Sequence, residues 1–221
     1  MAECWEVDYV KNILCYGDSL TWGYNAEALS RHPFEVRWPN VLQARIGNAV
    51  HVIEDGLNGR TTAFDDQLVA EDRNGARTLP TSLATHSPLD LVIIMLGAND
   101  MKPWIHGRAY VAANGMARLI NIVRGHAYFF NAPAPKIIIV SPPAVSRTDN
   151  VEFSEYFEGA NVSSTNLAKA YDQYAQQLGV RFFDAGTVAT TTPVDGVHLD
   201  AENTRAIGKA LVPLVKQTLG I

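Results

Sequence analysis

Five short runs of β-branched and large apolar residues, at 12–16, 50–54, 89–96, 136–140 and 180–183, recur along the chain. Their apolar residues are continuous rather than alternating, the pattern of strands covered on both faces in a parallel sheet. The segments between them carry helical spacing. Over 108–124, Val111, Met116, Leu119, Ile120 and Val123 fall at helix-compatible intervals. The stretch 163–178 opens on Ser/Thr capping residues and stops at Gly179, and 201–219 aligns Ile207, Leu211, Leu214 and Val215 before Gly220. Strands that alternate with helices imply a doubly wound α/β fold, a three-layer α/β/α sandwich on a five-stranded parallel sheet. The 221 residues fit one domain, 1–221, with no internal repeat or low-complexity tract to divide it.

Composition narrows the function classes. A net charge of −5 with no Lys/Arg cluster argues against a nucleic-acid partner. The longest apolar run, 91–96, is too short to span a bilayer, and the start of the chain lacks a charged-then-apolar leader, so no membrane partner and a cytoplasmic location are expected. Cys15 reads as core and Cys4 as part of a loose terminus, with no disulfide framework. No histidine pair has metal-ligand spacing, and neither a P-loop nor Gly-x-Gly-x-x-Gly occurs, so neither metal nor cofactor is expected.

In doubly wound folds, sites form where the strands end at their carboxyl edge. After the first run comes Gly17-Asp18-Ser19-Leu20, where Gly17 permits a tight turn and Ser19 lies at the sheet edge near a helix start. There the Ser19 N–H can face a developing oxyanion, although Asp18 and Ser19 also suit a plain turn and cap. After the second run, Gly59 offers a second backbone donor, or simply a turn. After the third, Gly97-Ala98-Asn99-Asp100 supplies a neutral side-chain amide at Asn99, or a helix cap. After the fifth comes Asp195-Gly196-Val197-His198, an acid three residues before a histidine that can fold back onto Nδ1 and leave Nε2 to take a serine proton. His32, His51, His86, His106 and His126 read as surface or packing residues. Each segment alone has a bland explanation. Together they supply nucleophile, two donors and an acid–base pair, the requirements of acyl transfer.

These blocks resemble the motifs of the SGNH (GDSL) hydrolases, within them a subgroup of bacterial arylesterases and acyltransferases, some of which also perhydrolyse esters. Similar stretches run through almost the whole chain, including 90–97, 135–143, Phe157-Glu158-Gly159 and Phe183-Asp184-Ala185-Gly186. The resemblance implies a flavodoxin-like fold, no metal and no cofactor. It implies Ser19, Asp195 and His198 as catalytic triad, with Ser19, Gly59 and Asn99 as oxyanion hole. Asp18, Trp22, Ala98, Lys102, Phe153, Phe157 and Val197 are implied as pocket residues; Ala98 stands at a variable position, which limits how far substrate range carries over. Trp104 also falls on a segment that could rim the site, and packing or an oligomer interface is the other reading of these aromatics. A homo-oligomer, an octamer, is implied too. Thr21 stands where the nucleophile elbow Gly-x-Ser-x-Gly would end, so that elbow is absent.

The expected function is hydrolysis of short-chain aryl or alkyl esters through an acyl-enzyme, with acyl transfer to alcohols or peroxide. An acetyl-carbohydrate esterase or lysophospholipase is the alternative on the same machinery. A non-catalytic flavodoxin-like binding module would not need the Asp195/His198 pair. Within 141–160, Pro142, Pro143, Phe153, Tyr156 and Phe157 break any period, and a loop of that length is usually functional.

Overall fold

The computed structural model describes residues 10–221; Cys4 lies outside them. Five parallel strands form the sheet: β1 (Lys11–Gly17), β2 (Val50–Gly56), β3 (Leu91–Met95), β4 (Lys136–Ser141) and β5 (Arg181–Asp184). Their spatial order is β2-β1-β3-β4-β5, the flavodoxin-like arrangement. The helices are α1 (Ser19–Trp22), α2 (Trp38–Ile46), α3 (Gly75–His86), α4 (Ala109–Gly125), α5 (Val151–Tyr156), α6 (Ala160–Ser163), α7 (Leu167–Leu178) and α8 (Ala201–Leu219).

The continuous apolar runs have a direct cause. Leu14, Tyr16, Val92, Ile94, Ile137 and Ile139 point to one face, where they meet Leu79, Met116, Leu119, Ile120 and Tyr171 of α3, α4 and α7. Ile13, Cys15, Ile93, Met95, Ile138 and Val140 point to the other, against Trp38 and Leu42 of α2 and Ile207, Leu211 and Val215 of α8. Side chains alternate across a strand, so two helical layers demand apolar residues at every position. Each fully buried Leu or Ile contributes ~1.5–3 kcal/mol. Burial drives the free Cys15 thiol well above its ordinary pKa, which keeps it an inert core residue.

The structure departs from the sequence expectation at the edges. β2 is half-buried rather than covered on both faces, because it borders the sheet. Its Glu54 carboxylate accepts from Arg31 (2.8 Å), from Arg37 (3.2 Å) and from Asn40, a charged dressing that keeps the edge from pairing further. The expected helix over 163–178 is broken into α6, a tight turn at Ser164–Asn166, and α7. Ser164 does not cap α7; its hydroxyl accepts from Val145 N–H at 2.9 Å and fastens the preceding loop. That loop, expected to be irregular over 141–160, contains α5, started by the Asn150 side chain accepting from Phe153 N–H. Among the described residues no helix is long and apolar enough to cross a membrane.

Candidate active site

β1 ends at Gly17, and α1 starts two residues later at Ser19. Asp18 caps it, accepting from Leu20 N–H at 2.9 Å. Gly17 is required for room rather than for a special backbone angle: a Cβ there would lie 2.0 Å from Thr21 Oγ1. Ser19 is thereby held at the sheet's carboxyl edge, with its own N–H at the first helical position, where no intrahelical acceptor exists.

His198 approaches from the other end of the chain, in the segment between β5 and α8. Gly196 shapes this segment by its positive φ (75°) and by letting Ser146 O come close, since a Cβ would sit 2.4 Å from that oxygen. Asp200 caps α8 immediately behind, accepting from Asn203 N–H at 2.8 Å. His32 Nε2 donates to Leu199 O at 3.0 Å and ties the same segment to the loop after β1. Sequence reasoning placed His32 among surface or packing residues; it is buried, and it holds the histidine segment in place.

These constraints bring together three side chains from distant parts of the sequence. His198 Nε2 lies 2.9 Å from Ser19 Oγ, and His198 Nδ1 lies 2.6 Å from Asp195 Oδ2. The other carboxylate oxygen of Asp195 accepts from Val197 N–H and His198 N–H, both at 2.9 Å. Burial pushes the Asp195 carboxyl up, but these bonds, led by that from the His198 ring, outweigh it and hold the group below the usual carboxylate range. An ionised Asp195 can only accept, so Nδ1 carries the proton and Nε2 presents its lone pair to Ser19.

Asn99 follows β3 on the tight turn Asn99–Met101. Its amide nitrogen is 3.3 Å from both Asp18 Oδ2 and Arg60 O. Both bonds are long, so a developing negative charge nearby can compete for one of the two hydrogens. The neighbouring Asp100 is fully buried and accepts from Thr62 N–H (3.0 Å) and Thr62 Oγ1 (2.5 Å), which pins this turn to the loop after β2. Arg60 fastens the same loop to β1, donating to Gly17 O at 2.8 Å and to Asp55 Oδ1 at 2.9 Å, with its guanidinium over the Tyr16 ring. Asp18 itself is buried, and desolvation lifts its pKa to about 6 against the opposing bond from Leu20.

A cavity of about 200 Å³ opens on Ser19 and His198. Gly59 and Asn99 also line it. The Tyr24 ring lies 4.3 Å from the His198 ring, and Phe153 meets His198 edge-on at 5.8 Å. Tyr156, Phe157 and Val197 continue the wall, and Asn58, Arg73 and Lys102 supply polar groups. Larger depressions lie elsewhere. One, of about 570 Å³, sits at the amino ends of β4 and β5 beside Lys136 and Arg181, away from Ser19 and from the strand ends where such folds build sites.

The sequence matches the GDSL-like lipase/acylhydrolase family over residues 15–205, most of its length. The chain belongs to that family. With it, the protein is a carboxylic ester hydrolase. Among solved structures, this acylhydrolase is similar to a carbohydrate acetylesterase family member from Sinorhizobium meliloti, at 55% identity, with 96% of this chain and 100% of the other covered and a TM-score of 0.95. It is also similar to the native aryl esterase of M. smegmatis, at 42% identity, 95% and 100% coverage and a TM-score of 0.90. A second S. meliloti carbohydrate acetylesterase follows at 40% identity, 94% and 99% coverage and a TM-score of 0.87. A comparison with curated proteins returned no match.

Within the acylhydrolase, the residues singled out in the sequence fall into two groups. Ser19, Gly59, Asn99, Lys102, Phe153, Phe157, Val197 and His198 all line the cavity, with Asp195 directly behind His198. Asp18, Trp22 and Ala98 do not. Asp18 supports Ser19 and Asn99 from below, Ala98 is buried where β3 runs into its turn, and Trp22 faces outward beneath the Arg31 guanidinium at 4.8 Å. Trp104 is two-fifths exposed and meets Tyr156 edge-on at 5.4 Å, a rim position. Sequence reasoning missed Tyr24, Asn58 and Arg73, and named Tyr156 only as part of the loop expected to be functional. Tyr24 follows Gly23, whose φ of 88° ends α1 and turns the chain toward His198, and that glycine is the one local signal available. Arg73 arrives from a long excursion after β2 and carries no local signal.

Proposed function

We propose that this acylhydrolase cleaves esters of short carboxylic acids, aryl and alkyl alike, through an acyl-enzyme on Ser19, and hands the acyl group to alcohols or peroxide as well as to water. The observation that carries the reading is the 2.9 Å and 2.6 Å chain from Ser19 Oγ through His198 to Asp195. Nε2 removes the serine proton as Oγ attacks the ester carbonyl. Asp195 stabilises the imidazolium that forms, and the same Nε2 then delivers the proton to the departing alcohol. A second nucleophile repeats the sequence in reverse.

The oxyanion of each tetrahedral intermediate is held by Ser19 N–H, Gly59 N–H and the Asn99 amide in this reading. One such donor is worth roughly 3–4 kcal/mol, because it acts only on charge that develops in the transition state. Asn99→Ala should therefore lower kcat by about 10²–10³-fold with little change in KM. Unaltered kcat on p-nitrophenyl acetate would remove Asn99 from the oxyanion hole.

Cavity size supports a small acyl group. About 200 Å³ is less than the ~300–1,000 Å³ of pockets for drug-sized ligands, and too little for a lysophospholipid chain. Tyr24 and Phe153 crowd His198, so the acyl-enzyme sits against apolar faces where an alcohol competes well with water. With butanol added to a p-nitrophenyl acetate assay, butyl acetate should form faster than acetate per mole of nucleophile. Equal partition would show that transfer has no advantage. Similarity to carbohydrate acetylesterases supports a second reading for the alcohol part, an acetylated sugar, and acetate release from acetylated sugars against aryl acetates separates the two.

A further inference from the structure

We propose that Lys102 reads a carboxylate on the substrate, so that the preferred esters carry a negative charge in their alcohol portion. The inference rests on the short-acyl reading above: a small acyl group leaves the charge to the alcohol side. It starts from an undercompensated cation. Lys102 is 8% exposed and lines the cavity that opens on Ser19. Its Nζ lies over two aromatic faces, 5.5 Å from the Trp104 ring and 5.6 Å from the Phe157 ring. Among the described residues no carboxylate is within ion-pairing distance of it.

The neighbouring acids are already engaged. Asp66 pairs with Arg73 at 3.2 Å and accepts from Leu68 N–H and Trp104 Nε1. Asp18 is held by Leu20 and Asn99, and Asp100 by Thr62. Ring faces recover only part of what burying an ammonium costs. Consistent with that, burial holds the Lys102 pKa below its ordinary value, against the pull of Asp66. A second cation bordering the cavity keeps one donor unmet: Arg73 pairs with Asp66, but its Nε is buried without an acceptor while its guanidinium covers Gly59.

An ammonium with ring faces but no carboxylate beside it, and one buried N–H of Arg73 without an acceptor, border the same small cavity and mark the place of an acceptor that arrives with the substrate. Ser19 and Lys102 line the same cavity of about 200 Å³, so a molecule with its carbonyl at Ser19 Oγ occupies the space that Lys102 borders. A carboxylate there gains a charge-assisted bond to a desolvated ammonium, whereas a neutral ester leaves the cation as it was.

The test is a matched pair of acetates, 4-acetoxybenzoate and 4-acetoxybenzamide, assayed for acetate release. With wild type, kcat/KM should favour the benzoate, chiefly through KM, because the contact is present in ground and transition states alike. In Lys102→Met the benzoate-to-benzamide ratio should fall about 10-fold or more, and Lys102→Arg should restore most of it. An unchanged ratio in Lys102→Met, with both acetates cleaved, overturns the inference and leaves the esterase reading standing. Failure of wild type to cleave either acetate overturns both. Wild type alone gives an independent check: 4-hydroxybenzoate should inhibit hydrolysis of the neutral ester at least about 10-fold more tightly than 4-hydroxybenzamide. Equal inhibition constants overturn the inference without any variant.

Discussion

Replacing Ser19 with alanine should lower the turnover of p-nitrophenyl acetate by about 10⁴–10⁶-fold, the loss expected when a nucleophile that works as a unit with its base is removed. The substitution deletes one oxygen, the one 2.9 Å from His198 Nε2, and leaves the helix start, the Asp18 cap and the Asn99 amide in place. Folding should change by only about 1 kcal/mol, the scale of one hydrogen bond. A serine-directed phosphonate should label wild type at Ser19 and leave the variant untouched. Equal rates in the two proteins, with no label at Ser19, would mean that the nucleophile is another group, since the variant retains every other member of the site.

Asp195→Asn should cost about 10⁴-fold in kcat, and the geometry leaves the amide no good placement. With its NH₂ toward His198, Nδ1 must become the acceptor and the proton moves to Nε2, where it faces Ser19 Oγ and blocks proton removal. With the amide turned over, its NH₂ meets the Val197 and His198 N–H groups, two donors that Asp195 Oδ1 now accepts at 2.9 Å. That arrangement strands buried donors at roughly 1–3 kcal/mol each. The variant should thus be slow and also less stable, with a lower unfolding temperature than Ser19→Ala. A variant that keeps near-normal kcat would show that His198 takes its tautomer from some other partner.

What the sequence made legible follows from how local each constraint is. The layers were readable because a strand covered on both sides must be apolar at every position, as Ile13 to Tyr16 and Leu91 to Met95 are. The meeting of Ser19, His198 and Asp195 was readable because Asp195 and His198 are three residues apart and bond through their own loop, and because Ser19 sits beside its cap. Residues that meet only through the fold left no such trace. Arg73, which lies over Gly59, and Tyr24, which packs on His198, come from segments whose local pattern serves turns and edges. Trp22 illustrates the reverse case. Adjacency to the nucleophile motif pointed to the pocket, yet one turn of helix carries its ring outward to Arg31.

The Asn99 and Asp18 contacts describe a site whose parts are fastened to one another as much as to the sheet. Asn99 is held by Asp18 and by the loop that Arg60 ties to β1, which fixes the position of its amide.

The short helix α5 stands apart from that mesh. It contributes Phe153 and Tyr156 to the cavity, Phe157 follows it, and Val151 and Tyr156 are largely open to solvent. α5 thus supplies cavity wall from outside the hydrogen-bonded mesh, and its Phe153 reaches the His198 ring edge-on at 5.8 Å. Substitution of Tyr156, which lines the cavity from this helix, changes the wall without removing any partner of the 2.9 Å and 2.6 Å contacts of His198.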